Sequence, residues 1–274
     1  MTLLFQTLSR LPLGLLHGLG WALGWGVFLG SGIYRRRFLA NARQAGFAWR
    51  ASRGAVGEAG KLVAELPRLW FGAPLPIEWH GKPLIDQALA HGRGIVFLTP
   101  HMGCFEVTAQ GYAREFGPEH GPITVLFRPA RQPWLRAVMA HARQRPGLAT
   151  APTTLAGVKQ MLKALKTGQA IGLLPDQVPP QGMGLWSPFF GQPAYTMTLA
   201  ARLVQQTGAQ LLLAWGERLP LGRGYRLHLS ALAQPLAADM AQAVAQINHA
   251  MEGLVAQCPS QYLWGYARYK EPRE

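Results

Sequence analysis

The chain has 274 residues, enough for one large domain or two small ones with a sizeable core. Basic residues outnumber acidic ones 27 to 13, a net charge of +14, while 15% of residues are charged and 49% hydrophobic. That balance excludes a disordered chain, which pairs high charge with low hydrophobicity. Two cysteines, Cys104 and Cys258, exclude a disulfide scaffold and fit a reducing compartment.

The basic excess is mostly arginine, 21 Arg to 6 Lys. A GC-rich genome raises arginine together with Gly and Pro, but it does not account for only three aspartates, Asp86, Asp176 and Asp239. An anionic lipid surface with phosphorylated substrates, or a nucleic acid, would explain the excess.

The first predicted element is apolar. Leu11–Gly30 carries no Asp, Glu, Lys or Arg, and twenty residues make about 30 Å of helix, enough to cross a hydrocarbon core. It is the one stretch of that kind, which excludes a polytopic membrane protein. His17 and six glycines dilute it, and Trp21 and Trp25 sit mid-segment rather than at the rims. Three placements stay open: a spanning anchor, a half-inserted interfacial helix, or a core helix. Arg10 precedes the segment, whereas Arg35, Arg36, Arg37 and Arg43 follow it. The positive-inside rule then puts the rest of the chain in the cytoplasm. The arginine cluster also stands where a cleaved signal peptide would leave a neutral mature start. Residues 1–34 are expected to form the membrane-associated segment and residues 35–274 a single domain, since no linker or repeat divides them.

Residues 38–71 read as helix, closed by Pro74 and Pro76. Five apolar runs follow as strands: Ile95–Thr99, Ile123–Phe127, Ala170–Leu174, Gln210–Gly216 and Tyr225–Leu232. Helical stretches lie between them at Phe105–Phe116, Pro133–Arg143, Thr154–Lys166 and Thr196–Gln206. Near-continuous apolar strands alternating with helices predict an α/β fold, with a mostly parallel central sheet flanked by helices.

Chemistry concentrates at Ile95–Glu106, IVFLTPHMGCFE. A buried strand runs into Pro100 and His101, and a turn then leads into a helix containing Glu106. Were all of His101–Glu106 helical, the two side chains would diverge by about 140°. With His101 in the turn, the Glu106 carboxylate reaches the imidazole, fixes one ring nitrogen protonated and leaves the other to accept a proton from a hydroxyl. Open α/β sheets place active sites at such strand ends. The alternative is a structural histidine. Arg128, held by Pro129 after a predicted strand, offers a fork of donors for a phosphate or carboxylate, and Arg131 could join it. Asp176, ending the strand Ala170–Leu174, reads equally as a turn or capping residue. Trp186, Phe189 and Phe190 in the Pro/Gly-rich stretch 178–193 suit an acyl tunnel or ordinary loop packing. A Cys104–His101 thioesterase route lacks the geometry that activates a thiolate.

TPHMGCFE resembles the H-x4-D/E motif of the glycerophosphate and lysophospholipid acyltransferase superfamily, and the chain is similar, more specifically, to the lipid A late acyltransferases of Gram-negative bacteria. FRPARQPWL (Phe127–Leu135), LLPDQVPP (Leu173–Pro180) and PSQYLWGYARYK (Pro259–Lys270) match further family motifs in the family's order. The resemblance implies transfer of a fatty acyl chain, usually from acyl carrier protein, to a hydroxyl of a membrane lipid at the cytoplasmic face of the inner membrane. It implies no metal, no cofactor and no covalent acyl-enzyme. It casts His101 as general base, Glu106 as its orienting partner, Arg128 as a ligand of phosphate or oxyanion, and Asp176 and Gln177 as organisers of the site. Val178–Pro179 and Gly265–Tyr266 depart from the family pattern, which leaves the acceptor lipid open. A nucleic-acid-binding function finds no reader motif and no clustering of arginine after residue 43. A catalytically silent scaffold is disfavoured by the presence of both His101 and Glu106.

Overall fold

The computed structural model describes residues 2–127, 132, 138–139 and 145–273. Six helices come first: α1 (Thr2–Leu8), α2 (Leu13–Gly30), α3 (Gly32–Gln44), α4 (Trp49–Ser52), α5 (Gly54–Ala64) and α6 (Leu66–Phe71). The sheet domain then runs β1 (Ile77–His80), α7 (Pro83–Ala90), β2 (Ile95–Leu98), α8 (Glu106–Glu115), α9 (Gly117–His120), β3 (Ile123–Phe127) and β4 (Leu148–Pro152). It continues with α10 (Leu155–Lys166), β5 (Ala170–Leu173), β6 (Gly184–Phe189), β7 (Gln192–Met197), α11 (Leu199–Thr207), β8 (Gln210–Arg218), β9 (Tyr225–Ala231) and α12 (Met240–Gln257).

Seven strands form one sheet in the order β1-β9-β8-β2-β5-β3-β4, parallel at every pairing except β8–β9. The α/β architecture with a mostly parallel sheet is therefore as expected. Both faces are covered. Along β2, Ile95 and Phe97 join a cluster with Ile85, Tyr112 and Phe116 of α7 and α8. Val96 and Leu98 point the other way, into a larger core with Met161, Leu203, Ile247 and Met251 of α10, α11 and α12. This two-sided burial is why β2 reads as an unbroken apolar run.

Several elements differ from the sequence reading. The stretch 38–71 is not one helix: Gly46, at φ +79°, ends the turn after α3, and Pro67, lacking an N–H, sits in the first turn of α6. The Pro/Gly-rich stretch 178–193 holds the first strand of a hairpin, β6–β7, which packs against α12. The helix expected from Thr196 starts at Leu199. Strands β1 and β4 and helix α7 carry signals too short to stand out in the sequence, and the expected elements also lacked α12, although Val244, Ile247, Met251 and Leu254 repeat along it at helical spacing. The helix expected over Pro133–Arg143 lies almost wholly outside the described residues.

The apolar segment is tied to the body. Helix α2 lies along α5 with its glycines at the contact; a Cβ on Gly60 would stand 1.9 Å from the Gly20 carbonyl oxygen, and one on Gly24 2.2 Å from that of Val56. The same face buries His17, whose Nε2 lies 3.0 Å from the Glu65 carboxylate. Glu65 is wholly buried and also accepts from the Arg218 guanidinium and the Tyr225 hydroxyl. On the opposite face Leu15, Leu19, Leu23 and Val27, at intervals of four, are exposed. The helix is long and apolar enough to cross a membrane by length and composition.

Candidate active site

Strand register assembles the site. Parallel β2 and β5 pair Leu98 with Leu173, and each strand runs on by three residues, Thr99-Pro100-His101 in one and Leu174-Pro175-Asp176 in the other. The prolines sit where the ladder stops and no backbone N–H is needed. His101 and Asp176 thus leave adjacent strands at equal height and meet at the carboxyl end of the sheet, where open α/β folds collect their functional groups.

Asp176 grips His101 twice. The His101 backbone N–H donates to Oδ2 at 2.8 Å, and ring Nδ1 lies 2.7 Å from Oδ1. The carboxylate is 2% exposed and the imidazole 17%. Burial alone would raise the Asp176 pKa, but the His101 ring and backbone N–H outweigh it and hold the carboxyl below the usual aspartate range. An ionised acceptor on Nδ1 places the ring proton there and leaves the lone pair on Nε2. Among the described residues no group bonds Nε2.

The loop carrying His101 is clamped from below. Gly103 adopts φ +55°, and a Cβ on it would stand 2.0 Å from the Gly216 oxygen, so only glycine fits. Its N–H donates to the Gln261 carbonyl, the Cys104 N–H to that of Gly216, and the His101 carbonyl accepts from the Leu263 N–H. The Gln261 side chain meanwhile bonds the Arg218 backbone on both sides. The closing motif PSQYLW therefore serves as the floor of the histidine loop. Tyr262 lies against the Asp176 carboxylate; burial first, and that charge next, push its phenol well above the ordinary range. Arg268, nearly buried, donates to the Tyr195 carbonyl and adds positive charge near Asp176. Sequence reading passed over Gln261, Tyr262 and Arg268 as individuals, although the motif containing them was visible.

The remaining predicted residues scatter. Glu106 does not hold the imidazole nitrogen: Asp176 occupies Nδ1, and Glu106 begins α8, where its charge supports the half-buried Arg145 guanidinium against the cost of burial. Gln177 follows Asp176, half-buried, and the next N–H, of Val178, donates to the Tyr266 hydroxyl. Arg128 and Arg131 lie outside the described residues. The Cys104 thiol is fully buried, and burial followed by the Glu65 charge raises it well above its ordinary value, opposite to what a nucleophilic thiol needs. Among the described residues no cluster of three or more His, Cys, Asp or Glu is arranged to hold a metal.

Comparison with known proteins gives a consistent result. The profile of the bacterial lipid A biosynthesis acyltransferase family matches residues 58–271. A lipid A biosynthesis lauroyltransferase of Escherichia coli is 29% identical over 192 residues, 69% of this chain and 60% of that protein. A palmitoleoyltransferase of the same pathway and organism is 24% identical over 218 residues, 77% of this chain and 68% of that one. A lipid A biosynthesis acyltransferase of Haemophilus influenzae is 24% identical over 187 residues, covering 68% and 57%. The chain thus spans less than two thirds of the lauroyltransferase with which it shares 29% identity.

Proposed function

The chain belongs to the bacterial lipid A biosynthesis acyltransferase family, and on that footing we propose that it transfers a fatty acyl chain from a thioester donor to a hydroxyl of a membrane lipid, such as a lipid A precursor. Acyl carrier protein is the proposed donor. The observation that carries this reading is a partly exposed imidazole with a buried carboxylate on one nitrogen and, among the described residues, no bond to the other.

In this mechanism Nε2 of His101 takes the hydroxyl proton as the acceptor oxygen attacks the thioester carbonyl. The tetrahedral oxyanion collapses, the carbon–sulfur bond breaks, and the imidazolium returns its proton to the leaving thiolate. No acyl-enzyme forms and no metal or cofactor takes part. Asp176 fixes the tautomer and steadies the imidazolium, a role that the sequence reading gave to Glu106. Glu106 is proposed instead to act across the mouth of α8, where it balances Arg145 beside the substrate. Arg128 and Arg131 are proposed to meet phosphate or the oxyanion, and Gln177 to keep Asp176 in place.

A membrane position follows from the same reading. A spanning α2 would carry Glu65, bonded to His17 on its inner face, and the Arg218 paired with Glu65 toward hydrocarbon. We therefore place α2 in the plane of the interface, with Leu15, Leu19, Leu23 and Val27 facing lipid and the arginines after it on an anionic cytoplasmic leaflet of the inner membrane. Residues 1–34 then present the lipid-facing surface and residues 35–274 form the acyltransferase domain.

Purified protein given acyl carrier protein thioester and a lipid A precursor should yield a lipid heavier by one acyl chain; no acylated lipid with any acceptor hydroxyl would refute the reading. Leu19→Glu combined with Leu23→Glu should abolish sedimentation with anionic vesicles at unchanged melting temperature. Undiminished sedimentation would remove α2 from the interface.

A further inference from the structure

The first 57 residues hold seven arginines and no Asp, Glu or Lys, which is +7 of the net +14. Within that stretch a crevice of about 290 Å³ opens between α2, α3 and α4. Arg35, Leu39 and Arg43 line it from one stripe of α3 at intervals of four, so the two arginines stand about 12 Å apart along the axis. Phe28, Phe47 and Trp49 supply aromatic walls, with the Phe28 and Trp49 rings stacked at 5.7 Å and Trp49 40% exposed. Among the described residues no carboxylate lines it. Arg35 is fixed in place, one nitrogen donating to the Leu29 carbonyl at the end of α2 at 2.9 Å. Arg43 is exposed and, among the described residues, has no hydrogen-bond or ion-pair partner.

On the interfacial position given to α2 above, and independently of the transfer chemistry, we propose that this crevice binds one anionic membrane lipid, with Arg43 on its phosphate and the Phe28, Phe47 and Trp49 rings against the first carbons of its chains. An unpaired guanidinium presents a fork of donors that matches two phosphate oxygens, and Arg35 adds positive charge from the far end. Aromatic walls give a hydrated anion nothing, whereas they bury the glycerol and chain carbons of a lipid. The size fits this division. The volume is at the small end for ligand pockets, enough for a headgroup and the adjoining carbons while the rest of the lipid stays in the bilayer. Leu29 and Ile33 flank the α2–α3 turn and are exposed, as Leu15, Leu19, Leu23 and Val27 are along α2. The crevice therefore stands where the lipid-facing surface meets the arginines, and an anionic leaflet concentrates its lipids at such a segment. It shares no residue with the His101 loop, which separates this lipid from the acceptor.

The test titrates full-length protein, in a neutral detergent, with phosphatidylglycerol, phosphatidylcholine and inorganic phosphate, and counts bound molecules by native mass spectrometry. One phosphatidylglycerol should bind per chain, about tenfold or more tighter than phosphatidylcholine, whose headgroup cancels the phosphate charge. Equal binding of the two would overturn the proposal. So would inorganic phosphate binding as tightly as the lipid, since the rings would then contribute nothing. Arg43→Gln should weaken phosphatidylglycerol binding about tenfold or more. Arg37→Gln removes the same charge from an exposed position outside the crevice and should weaken it by less than about twofold. Equal losses would mean diffuse attraction to surface charge and would overturn the site. Should Arg43→Gln fail to fold, Trp49→Ala must lower the affinity about fivefold or more through lost apolar burial. A lipid A precursor that binds where phosphatidylglycerol does not would assign the crevice to the acceptor and overturn the proposal. Transfer without this binding would defeat the crevice alone; binding without transfer would uphold the crevice and defeat the acyltransferase reading.

Discussion

Two histidine–carboxylate pairs are chemically alike but differ in access. His17–Glu65 joins α2 to the junction of α5 and α6 at 3.0 Å, with side chains 6% and 0% exposed. His101–Asp176 joins two strand ends at 2.7 Å, with side chains 17% and 2% exposed. Around Glu65 the carboxylate is saturated: His17, Arg218 and Tyr225 all direct donors at it. In the second pair only the carboxylate side is closed. A buried carboxylate beside an imidazole therefore does not mark catalysis by itself; the greater exposure of the His101 ring and its place at a strand end distinguish the two.

The strongest way to break that comparison is to exchange the residues one at a time. His101→Ala should lower acyl transfer by about a thousandfold or more, and Asp176→Asn by roughly a hundredfold or more through loss of the correct tautomer. Melting should change little in His101→Ala. Full activity in His101→Ala, measured with purified protein, would exclude it as the base. A larger loss in Glu106→Ala than in Asp176→Asn would return the orienting role to Glu106.

The sequence made much of this visible, and the limit has a physical cause. Apolar runs exposed the central strands because β2 and β5 are covered on both faces, so their composition is uniform. His101 stood out through its place after one such run. Its partner did not, because pairing across parallel strands depends on register, which the spacing within one segment does not encode. The repeated pattern Leu-x-Pro followed by a polar residue, at Leu98–His101 and Leu173–Asp176, was the available signal. The edge strand β1 alternates half-buried and exposed residues over only four positions, too few to separate from a loop. Helix α2 was legible in part: its composition permits a span, and His17 and two glycines on one face record its contact with α5.

The other pair predicts a stability effect rather than a catalytic one. Glu65→Gln leaves Arg218 buried with Glu58 as its remaining acidic partner, about 3 kcal/mol or more of destabilisation near neutral pH. In the wild type, burial opposes the Glu65 charge, but Arg218 and His17 outweigh it and pull the carboxyl down to about 2 from an ordinary 4.5. A depressed folded pKa stabilises fully above the unfolded value, and the gain is lost as pH falls from about 4.5 toward 2. The gap in melting temperature between wild type and Glu65→Gln should therefore be widest above pH 5 and narrow steadily below it. Asp176 titrates on the same acidic side but is present in both proteins, so it cancels in the difference. A gap that stays constant down to pH 3 would mean that Glu65 is not held as a carboxylate by Arg218, and the contrast between the two pairs would lose its electrostatic basis.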